Sequence, residues 1–126
     1  MTYTTSLRMG NKHQEMNKIL DFYEKDIEFL KTLLTEVLSK NNGFEVRAEA
    51  EHFQNQFIIQ QNNIEELRKK VLLNKQEASV EAKSHAGKVD ERLIVDIITT
   101  EKEVDRIEII ITGIRKEFKC FVANWF

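Results

Sequence analysis

The chain has 126 residues, of which 41% are hydrophobic and 32% are charged, and its formal net charge at pH 7 is −2. This length fits a single domain, and this composition excludes both a disordered chain and a membrane-embedded one. The charges are spread evenly along the sequence. An even spread disfavours a nucleic-acid-binding protein, because such proteins concentrate Lys and Arg on one surface.

The N-terminal segment and the cysteine usage bear on the cellular compartment. Cys120 is the only cysteine, so no internal disulfide can form, and residues 1–16 lack the apolar core of a signal peptide. No apolar run approaches the roughly 18 residues of a transmembrane helix. We therefore predict a cytoplasmic protein with no transmembrane segment.

The first predicted elements are a flexible polar tail over residues 1–11 and a helix over about 12–40. The apolar residues of this helix recur at alternating spacings of four and three, which places them on one helical face. They are Met16, Leu20, Tyr23, Ile27, Leu30, Leu34 and Val37. Additional apolar residues widen this face, which suggests that the helix contacts more than one neighbour, or a second copy of the chain.

The second predicted helix covers about residues 44–83 and has an apolar stripe with one polar member, Gln60. The stripe comprises Val46, Ala50, Phe53, Phe57, Gln60, Ile64, Leu67 and Val71. A buried polar residue often sets the register of a coiled coil, so Gln60 is a candidate for that role; a partly exposed amide is the alternative. Residues 74–86 carry few apolar groups and predict a thin helical extension, with an irregular loop as the alternative.

The third predicted helix covers about residues 88–124 and has the most regular stripe in the chain. Its members are Leu93, Ile97, Thr100, Val104, Ile107, Ile111, Ile114, Phe118, Phe121 and Trp125. The β-branched run 109–111 favours a strand, but the helical period continues for more than thirty residues without a turn signal. A helix is therefore the better interpretation.

Three stripes of this kind predict an all-α fold, an antiparallel up-down-up three-helix bundle with coiled-coil-like heptad packing. We expect one helical-bundle domain over residues 12–126, and possible dimerisation into a larger bundle. The third helix is expected to outlast the other two and to end in aromatic residues.

These terminal aromatic residues are the main candidate site. Phe118, Phe121, Trp125 and Phe126 are of the residue types enriched in binding hot spots, so they are candidates for a contact with a partner or a second subunit. Packing inside the protein's own core is the alternative for all four.

Two weaker patterns suggest other functions. Glu49 and His52 have the Glu-x-x-His spacing of metal-carboxylate bundles, although such sites need two of these motifs. The basic residues Arg68, Lys69 and Lys70 could contact nucleic acid or an anionic membrane.

No catalytic, cofactor or metal motif stands out in the sequence. We therefore predict a non-enzymatic protein–protein interaction or scaffold module without a cofactor. Its expected partner is a second copy of the chain or another helical protein. The alternatives are a nucleic-acid or membrane binder through Arg68–Lys70 and a metal-carboxylate bundle that uses Glu49 and His52.

Overall fold

The computed structural model describes residues 3–126, and the side chains of residues 8–126. These residues form three long helices and two short strands, which confirms the predicted all-α three-helix bundle. The elements are β1 (Tyr3–Thr5), α1 (Ser6–Lys40), α2 (Phe44–Ser84), β2 (Lys88–Asp90) and α3 (Glu91–Trp125). Over the described range, none of the helices combines the length and the apolar character needed to span a membrane.

Contacts between the helix ends establish the order of the bundle. Near the start of both helices, Lys12 Nζ of α1 lies 3.3 Å from Glu101 Oε2 of α3. At the other end, the Asn41 side chain donates a hydrogen bond to the carbonyl oxygen of Trp125. The helices α1 and α3 therefore run parallel, and α2 runs in the opposite direction and packs against both.

The core consists of the three predicted stripes. In α3 all nine stripe residues from Leu93 to Phe121 are buried, and all eight predicted stripe residues of α2 are buried as well. The stripe of α1 is buried except at Tyr23, which is half-buried. Burial at spacings of four and three is what a bundle of long helices requires, because only one side of each helix faces its partners.

Two stripes extend further than the apolar pattern indicated. The α2 stripe continues through Asn74 and Ala78, and the α1 stripe begins at Met9 and passes through His13. The thin extension predicted after residue 73 is thus helical up to Ser84. The extra turns were hard to recognise because Asn74 and His13 are polar residues at buried positions.

The structure differs from the sequence-based prediction at the N-terminus. Part of the tail expected over residues 1–11, residues 1–2, lies outside the described range. From Tyr3 on, the chain forms β1, which pairs antiparallel with β2, and α1 already begins at Ser6. The pairing explains the ordered start, because strand β2 supplies backbone partners that the polar sequence does not reveal.

The lengths of the helices contradict the expectation that the third helix outlasts the other two. Helices α1 and α3 each have 35 residues and end side by side, whereas α2 has 41 residues. Helix α3 therefore does not outlast its neighbours. The difference arises because α1 begins six residues earlier than the apolar pattern suggested.

Two isoleucines of α3 that lie two residues apart test the helical interpretation of the β-branched run 109–111. Ile111 is 1% exposed, whereas Ile109, two residues away, is 73% exposed. We expect Ile111→Ala to lower the free energy of unfolding by about 2–5 kcal/mol, and Ile109→Ala to change it by less than about 0.5 kcal/mol. Denaturant unfolding of the two variants measures this difference. Equal losses would contradict the helix, because residues two apart share a face only in a strand.

Candidate functional site

Two of the four C-terminal aromatic residues lie inside the bundle. Phe118 and Phe121 are buried and pack against Phe53 of α2, with ring centroids 5.2 and 5.1 Å apart. Phe57 joins the same cluster, 5.4 Å from Phe118. Phe118 and Phe121 therefore stabilise the protein's own core and are not available to a partner.

The other two aromatic residues lie at the surface of the bundle end. The half-buried Trp125 donates its indole N–H to Glu49 Oε2 at 2.9 Å. Phe126 is 54% exposed, and the ammonium of Lys40 lies 4.4 Å from the centre of its ring. These contacts hold both rings at the end of the bundle, where Trp125 is partly exposed and Phe126 is exposed.

The structure adds a third aromatic residue that the sequence analysis did not select. Phe44 begins α2 at the same end of the bundle and is 88% exposed. It borders a groove of about 780 Å³ between α1 and α2, which is also lined by Leu38, Asn42, Arg47, Ala48, Ala50, Glu51 and Gln54. In the sequence, Phe44 is recognisable only as an aromatic residue that follows the turn between α1 and α2 and lies outside the apolar stripe of α2.

The geometry gives no support to a metal site at Glu49 and His52. The Glu49 carboxylate accepts the hydrogen bond from Trp125, and His52 is exposed with its ring against Phe53. In the part of the chain that the structure describes, no three His, Cys, Asp or Glu side chains are grouped closely enough to hold a metal ion.

The basic cluster Arg68–Lys70 is divided between two interhelical contacts. Arg68 forms ion pairs with Asp21, at 2.6 Å, and with Glu24, both on α1. Lys70 lies 2.8 Å from Glu103 on α3. Because neighbouring carboxylates neutralise these two cations, they do not form the basic patch that phosphate groups would require.

Gln60 is 5% exposed, so the polar member of the α2 stripe lies in the core. Its Oε1 accepts a hydrogen bond from Asn63 Nδ2 at 3.4 Å, within the same helix. This bond pairs the amide oxygen within α2 and does not join two helices. The proposed role of Gln60 in register therefore stays a prediction.

A different pair of polar residues joins two helices inside the core. Asn74 Nδ2 of α2 donates a hydrogen bond to Thr100 Oγ1 of α3 at 2.9 Å, and both side chains are buried. The Thr100 hydroxyl donates in turn to the Asp96 carbonyl oxygen at 3.0 Å. Such a bond favours one alignment of α2 against α3, because any shift along the axis would leave a buried amide unpaired.

His13 is the polar residue of the core on α1. It lies within α1, seven residues after the helix begins, and is 2% exposed. Its Nε2 has no hydrogen-bond partner among the described residues. Burial lowers the pKa of His13 below its usual 6.5, and the nearby charge of Lys75 lowers it further. The imidazole is therefore neutral at pH 7.

The comparisons with known proteins identify no relative of this chain. No family model matches the chain, and no curated protein or solved structure is significantly similar to it. The function must therefore be argued from the bundle itself.

The Asn74–Thr100 hydrogen bond can be measured by a double-mutant cycle. We expect Asn74→Leu and Thr100→Val to show a coupling free energy of about 1 kcal/mol, because each single change removes the same bond. Thr99→Val is the matched control, since Thr99 is exposed and its hydroxyl bonds only the Val95 carbonyl oxygen. Equal coupling of Asn74→Leu with both threonine changes would contradict the bond.

The lowered pKa of His13 predicts a loss of stability in mild acid. Below pH 6.5 the unfolded chain takes up a proton that the folded protein resists, so the free energy of unfolding falls with pH until His13 protonates in the folded state as well. Each unit of lowering corresponds to about 1.4 kcal/mol.

Urea unfolding between pH 7.5 and 5.5 measures this loss. His13→Gln should remove much of it, and His52→Gln, at an exposed site, should leave it unchanged. The assignment to His13 fails if both variants keep the pH dependence of the natural protein.

Proposed function

We propose that the protein is a non-enzymatic interaction or scaffold module that self-associates through one end of its bundle. The surface consists of Phe44, Trp125 and Phe126, and is called the aromatic end below. The observation that supports it is the exposure of two phenylalanine side chains at this end, Phe44 at 88% and Phe126 at 54%, together with the groove beside Phe44. Exposed aromatic residues in a group are typical of interaction surfaces.

The charges around the aromatic end favour a second copy of the chain as the partner. Cations and anions alternate there, with Lys40 and Arg47 close in sequence to Glu45, Glu49 and Glu51. In a twofold dimer each surface meets itself, so a patch that carries both signs can pair its own cations with its own anions. Another helical protein with an apolar stripe is the second class of partner.

A cytoplasmic location belongs to the same proposal. Cys120 is exposed on α3 and has no second cysteine with which to form an internal disulfide. An exposed free thiol is best preserved in a reducing compartment.

Solution mass tests the self-association. We expect a concentration-dependent dimer in sedimentation equilibrium. The double variant Phe44→Ser/Phe126→Ser should raise the dissociation constant of this dimer by about tenfold or more. Phe22→Ser is the matched control, because Phe22 is similarly exposed but lies in the middle of α1.

A natural protein that stays monomeric at every concentration would contradict the proposed self-association. So would a dimer that is weakened equally by Phe22→Ser. Phe121 is not a suitable test position, because its ring belongs to the aromatic core.

A further inference from the structure

The outer face that α1 and α3 form together carries large exposed apolar side chains. Phe22 and Phe29 of α1 are 56% and 57% exposed, and Ile109 of α3 is 73% exposed. The two phenylalanines are seven residues apart, which is two helical turns, so they share one face of α1 about 10 Å from each other. Exposed apolar residues that lie together, rather than singly, mark surfaces that bind something.

A contact between α1 and α3 brings Ile109 beside the phenylalanines. Tyr23 of α1 donates its hydroxyl to Glu108 Oε1 of α3 at 3.0 Å. Phe22 and Ile109 are the immediate neighbours of these two residues in the chain, so they lie at the same level of the bundle. Because the axes of packed helices are about 8–10 Å apart, the three apolar side chains occupy one area of the surface.

Asp26 shows on which side of α1 the two phenylalanines lie. It is one helical turn from Phe22 and one from Phe29, and its Oδ1 lies 3.6 Å from Arg115 Nη1 of α3. Phe22 and Phe29 therefore lie on the α3 side of α1, next to the boundary between the two helices. The Asp26 side chain is only 8% exposed and Arg115 balances its charge, so it adds little negative charge to the surface.

Lysine side chains surround these apolar residues. Lys18 and Lys25 alternate with the phenylalanines along α1, in the order Lys, Phe, Lys, Phe at spacings of four, three and four. On α3, Lys116 follows Ile109 by two turns on the same face, and Lys119 lies one turn further. All four lysines are exposed, and none forms an ion pair with another described residue.

The local charge differs in sign from the charge of the whole chain. Five cations, the four lysines and Arg115, lie around the apolar side chains. They outnumber three carboxylates, which belong to Asp26, Asp105 and Glu108. The face is therefore positive, although the chain as a whole has a net charge of −2.

We propose that this face docks on the surface of a membrane that contains anionic lipids. It is called the lysine–phenylalanine face below and consists of Lys18, Phe22, Lys25, Phe29, Ile109, Lys116 and Lys119. The ammonium groups contact the anionic headgroups, and each lysine near such a surface strengthens binding by about fivefold. The apolar side chains enter the boundary between the headgroups and the acyl chains.

The order of the side chains favours a membrane over an acidic partner helix. A helix that packs between α1 and α3 needs a continuous apolar stripe. Here Lys25 and Asp26 separate the two phenylalanines. Separate rings with lysines between them suit a headgroup region, where rings enter the boundary and ammonium groups stay at the phosphates. Two helices side by side also present a broad face, which fits a planar surface.

Co-sedimentation of the full chain with lipid vesicles tests the proposal. One set of vesicles contains phosphatidylcholine alone, and the other contains about 30% phosphatidylserine as well. We expect the anionic vesicles to bind the protein at least about tenfold more tightly. Most of this binding should be lost at about 0.5 M salt, where charges are screened over roughly 4 Å.

Two double variants separate the contributions of rings and charges. Phe22→Ser with Phe29→Ser should weaken binding to anionic vesicles by about tenfold or more, because no ring then enters the lipid boundary. Lys25→Gln with Lys116→Gln should weaken it by about tenfold or more, because two contacts with anionic headgroups are lost. All four side chains are exposed, so the bundle should fold as before.

The matched control variants change exposed residues of α2, which is not part of this face. Lys69→Gln with Lys83→Gln lowers the net charge by the same amount as the lysine variant of the face. Ile58→Ser with Leu73→Ser removes side chains that are 50% and 54% exposed. Both control variants should bind anionic vesicles like the natural protein.

Four results would each overturn the proposal: no binding to anionic vesicles, equal binding to both vesicle types, binding that persists at high salt, or equal weakening by the α2 variants. Soluble poly-glutamate that binds more tightly than anionic vesicles would also contradict it, and would indicate an acidic protein partner instead. The proposal does not depend on self-association, because the residues of the lysine–phenylalanine face lie outside the aromatic end.

Discussion

The burial of one continuous stripe on each of three helices is the constraint on which this structure depends. Each helix must remove its apolar side from water, and only two other helices with matching stripes can cover it along its whole length. The charged contacts follow from this arrangement, since pairs such as Lys12–Glu101 and Lys70–Glu103 lie beside the stripes. Such partly exposed pairs stabilise little by themselves, and they complement a fold that burial already defines.

The polar residues inside the stripes make some layers of the core chemically different from others. Asn74 and Thr100 satisfy each other across two helices, and Gln60 finds its partner within α2. His13 Nε2 has no partner in the part of the chain that the structure describes. A purely apolar core would tolerate helices that slide by one turn, whereas the Asn74–Thr100 hydrogen bond makes such a shift of α2 against α3 costly. The same residues also distinguish one end of the molecule from the other.

The two ends of the bundle differ in structure. The end with Phe44 and Phe126 exposes large aromatic rings and carries charges of both signs. The other end is closed by the β1–β2 pair, and Gly87, with φ of 84°, allows the chain to turn from α2 into β2.

The sequence by itself determined the class of fold and most of the core. The 4-3 spacing identifies the inward residues of α2 from Val46 to Val71 and of α3 from Leu93 to Phe121, because helical geometry depends only on local spacing. The same spacing placed Gln60 and Thr100 inside.

Only the tertiary structure decided which polar residues are buried beyond these stripes and what they contact. His13 and Asn74 look like surface residues in the sequence, and the terminal aromatic residues look alike although Phe118 and Phe121 are internal. Where helices begin and end relative to one another depends on long-range contacts, such as Asn41 with Trp125 and β1 with β2. Local spacing carries no information about such contacts, because the residues involved lie more than eighty positions apart along the chain.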